Sequence, residues 1–153
     1  MASIDEILAS LGITLPIPAK PVGSYIPVVI TGKLAFVSGQ IPYQDGRVNL
    51  KGKVDKDLNI EAGQQAARLC VINGLSQLKS VIGNLDLVKQ VIKVTGFVNS
   101  DPEFTDHPKV VNGASDLLVE VFGEKGRHAR AAVGVSSLPL GSCVEVEILV
   151  ELI

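Results

Sequence analysis

The sequence holds no tryptophan, one methionine, two histidines and two cysteines, and aromatic residues make up only 4% of it. Each scarcity argues against a class of protein. Two cysteines (Cys70 and Cys143) in 153 residues do not form a disulfide framework. They suit a reducing compartment, with both thiols acting as small buried hydrophobes. Nucleic acid is not an expected partner. The 14 Lys and Arg against 16 Asp and Glu leave a formal charge of −2, whereas phosphate binding calls for a basic surplus on one face. No segment approaches the roughly 18 apolar residues of a membrane span. The opening residues Met1-Ala2-Ser3-Ile4-Asp5-Glu6 lack the basic start and long apolar run of a secretory signal. The expectation is a cytoplasmic protein with no membrane partner. No His/Cys/Asp/Glu group has zinc-ligand spacing, no glycine-rich phosphate loop is present, and no serine stands in a nucleophile elbow.

What the chain does have is aliphatic bulk. Hydrophobic residues make up 46% of it, mostly Val, Leu, Ile and Ala, which suits a sheet covered by helices. The length fits one domain, residues 1–153. Ser3 and Glu6 have the spacing of a capping box, which predicts a short helix over 3–10. Gly12 ends it, and Pro16, Pro18 and Pro21 break regular structure afterwards. Residues 1–20 are thus a helix and a Pro-rich extension. Pro27–Ile30 and Leu34–Ser38 predict a hairpin around Thr31-Gly32-Lys33, with Gly39-Gln40-Ile41-Pro42 closing the second strand. Asp45-Gly46 predicts a turn leading to a short segment near Val48. Helical spacing runs from Glu61 to Ile82 and again from Pro108 to Phe122. Val91–Val98, Ala129–Val135 and Val144–Leu152 predict three further strands. The economical packing is one mixed sheet with both long helices on one face. The other face also carries apolar residues, and association of copies would cover it.

The last two strands hold the groups that could carry chemistry. In Val144–Leu152, alternation puts Val144, Val146, Ile148, Val150 and Leu152 on one side and Glu145, Glu147, Leu149 and Glu151 on the other. Arg130 shares its face with Ala132, Gly134 and Ser136, so the guanidinium has open space beside it. Such a group holds a carboxylate through two parallel hydrogen bonds. The plainer alternatives are an ion pair from Arg130 to Glu145 or Glu147, and a solvated strand face for Glu145. A hairpin turning near Pro139-Leu140-Gly141 would not bring Arg130 directly opposite Glu145. His128, two residues before Arg130, is a candidate to line the same site. His107, just before Pro108, is expected to be an exposed residue ahead of a helix.

Two separated segments carry a family resemblance. Arg130-Ala131-Ala132-Val133-Gly134-Val135-Ser136-Ser137-Leu138-Pro139, followed by Val144-Glu145-Val146, resembles the C-terminal signature of the Rid family, the reactive intermediate deaminases also called YjgF or L-PSP proteins. Ser38-Gly39-Gln40-Ile41-Pro42 resembles the family's internal segment, with Tyr25 at the family's spacing before it. The resemblance spans roughly residues 20–153. It implies a chorismate-mutase-like α/β (α+β) fold and a homotrimer whose three sheets form an inner barrel, with ligand clefts between subunits. It implies that Arg130 binds a substrate carboxylate and Glu145 positions or activates water. It places Tyr25, Ser38, Gly39 and Asn112 along the cleft, and Ala132 there through its backbone N–H. The implied reaction is hydrolysis of enamines and imines such as 2-aminoacrylate or 2-iminobutanoate to 2-keto acids and ammonia, with no metal or organic cofactor. His128 stands where a small residue or proline is usual, and residues 3–10 extend the short members, both pointing to a divergent, longer subgroup. The alternative is a non-catalytic binder of small carboxylates or keto acids. The ribonuclease label attached to the family fits poorly with this charge and so few aromatics.

Overall fold

A computed structural model describes residues 1–21 and 23–153. One five-stranded sheet forms the centre, and its strand order explains where the functional groups lie. Strands β1 (Val28–Thr31) and β2 (Leu34–Gln40) form the expected hairpin, pairing Thr31 with Leu34. Gly32 makes the turn possible at φ +57°, a left-handed backbone that glycine adopts at little cost. A two-stranded ribbon, β3 (Tyr43–Gln44) and β4 (Arg47–Val48), follows around Asp45-Gly46. Helix α2 spans Ile60–Ile82, capped by Asn59, whose side chain accepts from the Ala62 N–H at 2.8 Å. Then come β5 (Val88–Asn99), α3 (His107–Phe122), β6 (Ala129–Val135) and β7 (Val144–Leu152).

The sheet order is β1-β2-β7-β5-β6. The last two strands therefore do not form a hairpin. β7 inserts antiparallel between β2 and β5, and β6 runs parallel to β5 at the edge. Packing accounts for this. Val144, Val146, Ile148 and Val150 of β7 are all buried, as a central strand under two helices should be. The small residues of β6 bury little and suit an edge.

Both long helices cover one face of the sheet. Val37, Val94, Val98, Val146 and Ile148 meet Val71, Leu75, Val111 and Leu118 of α2 and α3 in a single core. The two helices touch closely at Gly113, where a Cβ would sit 2.1 Å from the Gln64 carbonyl oxygen. Cys70 and Cys143 are fully buried within this core. Burial raises the Cys70 thiol well above its usual range and pushes Cys143 up to about 11, so both stay protonated and unreactive.

The N-terminal extension is docked rather than loose. Helix α1 (Ile4–Ser10) has the capping box that the sequence predicts. Its Asp5 pairs with Lys79 at 2.9 Å, and the Ile4 N–H donates to Asp86 at 2.8 Å. Beyond it, Ser76 and Gln77 of α2 donate to the carbonyls of Pro16 and Ala19 at 2.6 and 2.8 Å. Among the described residues nothing covers the opposite face of the sheet, and Val29, Phe36 and Val133 are each more than two-fifths exposed on it. Among the described residues, no helix is long and apolar enough to cross a membrane.

Candidate functional site

The sequence-predicted site residues separate into two groups. The first group gathers where β6 meets α3. Val94 of β5 pairs with Arg130 on one side and Ile148 on the other, so Arg130 rises from the helix-covered face. There its Nη1 donates to Asn112 Oδ1 at 2.8 Å and to Ser115 Oγ at 3.2 Å. Asn112 and Ser115 are three residues apart on α3 and therefore share a face. Arg130 forms no ion pair with Glu145 or Glu147. Its Nε and Nη2 have no hydrogen-bond partner among the described residues, and the side chain is exposed. The two hydrogens of Nη1 are occupied, so the Nε–Nη2 edge is presented outward. That edge is one a carboxylate can grip with both oxygens. Ala132 is the next residue on this face and is half-buried.

His128 belongs to the same group but is already engaged at both ring nitrogens. Nδ1 is 2.5 Å from the Gly126 carbonyl oxygen and Nε2 is 2.8 Å from Ser115 Oγ. Ser115 is the residue the sequence reading missed. A lone serine inside a helix looks like a solvated position, and the one available signal was its i+3 spacing from Asn112.

The second group lies on β2 and β7. Phe97 of β5 pairs with Glu145 on one side and Val133 on the other, so Glu145 points to the uncovered face. It packs on Gly39, where a Cβ would fall 2.1 Å from its Oε2. Glycine at this position is thus a requirement of the glutamate. Ser38 is tied to the preceding segment: its Oγ donates to the Ile26 carbonyl at 2.8 Å and its N–H to the Pro27 carbonyl at 2.8 Å. Tyr25, next to Ile26, is 54% exposed. Partial burial raises the Glu145 carboxyl above its usual range, and the neighbouring Glu147 carboxylate adds to the effect. A carboxyl raised in this way holds its proton more tightly than a free one, which suits a group that takes and returns protons.

Within one chain the two groups do not meet. Arg130 and Glu145 project from opposite faces of the sheet, two strands apart, which is about 10 Å across and a similar distance along the strands. A shallow concavity of ≈ 390 Å³ on the uncovered face is lined by Phe36, Lys93, Thr95, Glu147 and Leu149 among others, and contains neither residue.

His107 differs from its expected exposed state. It opens α3, is half-buried, lies 3.3 Å from Ser100 Oγ and meets Phe104 edge-on with ring centroids 5.3 Å apart. It rests over Gly134, where a Cβ would approach its Nε2 to 2.4 Å; the missing side chain makes the room. Among the described residues there is no cluster of His, Cys, Asp and Glu able to hold a metal ion.

Comparison with known proteins agrees with this architecture. The model of a family described as "YjgF/chorismate_mutase-like, putative endoribonuclease" matches residues 5–152. The chain belongs to this family, the YjgF or Rid family. Protein TCP17 of Trypanosoma cruzi is 49% identical over 95% of this chain and 91% of its own. A solved Agrobacterium tumefaciens protein of unknown function is 45% identical, covering 98% of this chain and 92% of its own, with a TM-score of 0.91. A more distant relative, a 2-iminobutanoate/2-iminopropanoate deaminase of Dermatophagoides farinae, is 28% identical over 90% of this chain and 93% of its own.

Proposed function

We propose that the protein hydrolyses short-lived 2-imino acids and their enamines, of the 2-iminobutanoate and 2-aminoacrylate type, to 2-keto acids and ammonia. The reaction would take place in a cleft between copies of a homotrimer. One observation carries the reading: Arg130 spends Nη1 on Asn112 and Ser115 and keeps its Nε–Nη2 edge for a ligand. A guanidinium held in this way fixes the plane of a bound carboxylate, and with it the position of the imine carbon one bond away.

The rest of the chemistry falls to Glu145. Its carboxylate takes a proton from water as the water oxygen bonds to the imine carbon and the C=N bond becomes C–N. That proton passes to nitrogen to give a carbinolamine. Glu145 then takes the hydroxyl proton as the C=O bond forms and hands it to nitrogen as the C–N bond breaks, which releases ammonia and leaves the ketone. The raised carboxyl of Glu145 matches both halves of the cycle. Alternate backbone N–H groups of the edge strand β6 point away from β5, and that of Ala132 is the candidate to meet the ligand. The uncovered sheet face explains the assembly. Packed around a threefold axis, three such faces would bury Val29, Phe36 and Val133 and bring the glutamate group of one copy to the arginine group of the next. The distant deaminase relative supports this reading.

A second reading rests on the separation of the two groups. One chain on its own presents only the carboxylate grip, which is enough for a non-catalytic keto-acid binder. The test couples a threonine dehydratase, which generates 2-iminobutanoate, to the appearance of 2-ketobutyrate. Wild-type protein is expected to accelerate the release, and Arg130→Ala to lower kcat/KM by roughly 10²–10³-fold. A folded wild-type protein that leaves the rate unchanged would leave only the binder.

A further inference from the structure

We propose that His128 and Ser115 are positioning residues for Arg130, linked in one hydrogen-bond chain that aims the guanidinium at its ligand. The proposal rests on the reading of Arg130 as a carboxylate clamp. The chain begins at the Gly126 carbonyl, which can only accept. His128 Nδ1, 2.5 Å away, must therefore carry a hydrogen and donate it. If the ring carries one hydrogen, Nε2 bears a lone pair, and its neighbour at 2.8 Å is Ser115 Oγ. The serine hydroxyl then donates to Nε2, which turns its oxygen lone pairs away from the ring. Arg130 Nη1 lies 3.2 Å from that oxygen and supplies the hydrogen it needs, while its other hydrogen goes to Asn112 at 2.8 Å. Every donor in the chain has an acceptor.

The opposite assignments fit worse. With the hydrogen on Nε2 alone, Nδ1 would face the Gly126 carbonyl lone pair to lone pair. With both nitrogens protonated, two cations would share one hydroxyl oxygen, and the serine hydrogen would need another acceptor. The anchor at the start of the chain is rigid. Gly126 is buried against α3, where a Cβ would come within 2.2 Å of the Leu118 carbonyl oxygen. The chain thus starts from a glycine packed on α3 at Leu118 and ends on α3 at Ser115, one helical turn earlier. Neither nitrogen of His128 is left to touch a ligand, so the histidine acts through the serine.

Three expectations follow for protein in solution. Long-range ¹H–¹⁵N spectra of the His128 ring should show Nδ1 protonated and Nε2 bare in the wild type. The protonation pattern should persist in Ser115→Thr, which keeps the hydroxyl. In Ser115→Ala the Gly126 carbonyl still holds the Nδ1 hydrogen, and the Nε2 resonance should move toward that of a nitrogen accepting no hydrogen bond. Calorimetric titration with 2-ketobutyrate should show affinity weakened roughly tenfold in Ser115→Ala and restored in Ser115→Thr, as for loss of a hydrogen bond to a charged group. A merely structural serine would move the melting temperature and leave the 2-ketobutyrate affinity unchanged. A wild-type ring protonated at Nε2, alone or together with Nδ1, overturns the proposal. So does equal 2-ketobutyrate affinity in Ser115→Ala and wild type, or no 2-ketobutyrate binding by the wild type. If the tautomer and affinity results hold while the dehydratase-coupled rate stays flat, the positioning role stands and the deaminase reading fails.

Discussion

The arginine group and the glutamate group are built on different physics. Arg130 is exposed and held by directed hydrogen bonds to Asn112 and Ser115, with His128 behind them. Glu145 is half-buried and held by packing, pressed against the bare backbone of Gly39. An exposed cation tied on one side keeps its charge and its direction, which suits a clamp. A carboxylate deprived of part of its water has its proton affinity raised, which suits an acid–base group. The difference teaches that one sheet can serve two roles at opposite faces, because edge and interior strands set solvation independently.

The comparison can be broken most severely at Glu145. Replacing its carboxylate by an amide, Glu145→Gln, keeps the shape and removes the proton transfer. Deaminase kcat should fall by roughly 10²–10⁴-fold, while 2-ketobutyrate affinity, a property of the arginine side, should change little. Gly39→Ala tests the packing support. The added methyl would meet a carboxylate oxygen, and the glutamate can swing away, so the fold should survive with a near-wild-type melting temperature. A displaced Glu145 should lower kcat by up to about 10²-fold. Loss of folding instead would show that the Gly39 contact is structural.

The smallest effect sharpens the electrostatic side. The Glu145 carboxyl is raised in the folded chain, so the folded state holds its proton more tightly than the unfolded state does. Below the ordinary carboxylate range both states are protonated and folding bears no cost. As pH rises through the raised value, the cost of the buried charge appears and stays. Glu145→Gln should therefore melt slightly above the wild type near neutral pH, and the gap should close by about pH 4. A gap that widens on acidification would contradict the burial argument.

Much of this was legible in the sequence. Apolar spacing over 61–82 and 108–122 located the helices Ile60–Ile82 and His107–Phe122 to within a residue, and the alternation in Val144–Leu152 correctly put Glu145 on the side away from the core. The neighbours of each strand were hidden. Nothing local in Ala129–Val135 and Val144–Leu152 shows that β5, some 40 residues earlier, lies between them. That choice is made by burial of β7 under both helices. Arg130 and Glu145 could thus be named as a pair without their separation being visible. His107 was misplaced for a related reason. Its burial depends on a glycine in β6 making room across the sheet–helix gap, a contact that no residue near His107 announces.

The central claim is that the two groups complete one site across copies of the chain. Coexpression of differently tagged Arg130→Ala and Glu145→Gln chains, with isolation of assemblies carrying both tags, tests it most directly. In a head-to-tail ring of three, each mixed assembly contains one cleft with both residues intact. Deamination of 2-iminobutanoate should then return to about a third of the wild-type rate, although neither variant is active alone. Mixed assemblies as inactive as the separate variants, beside an active wild type, would contradict it and place both residues' work within a single chain.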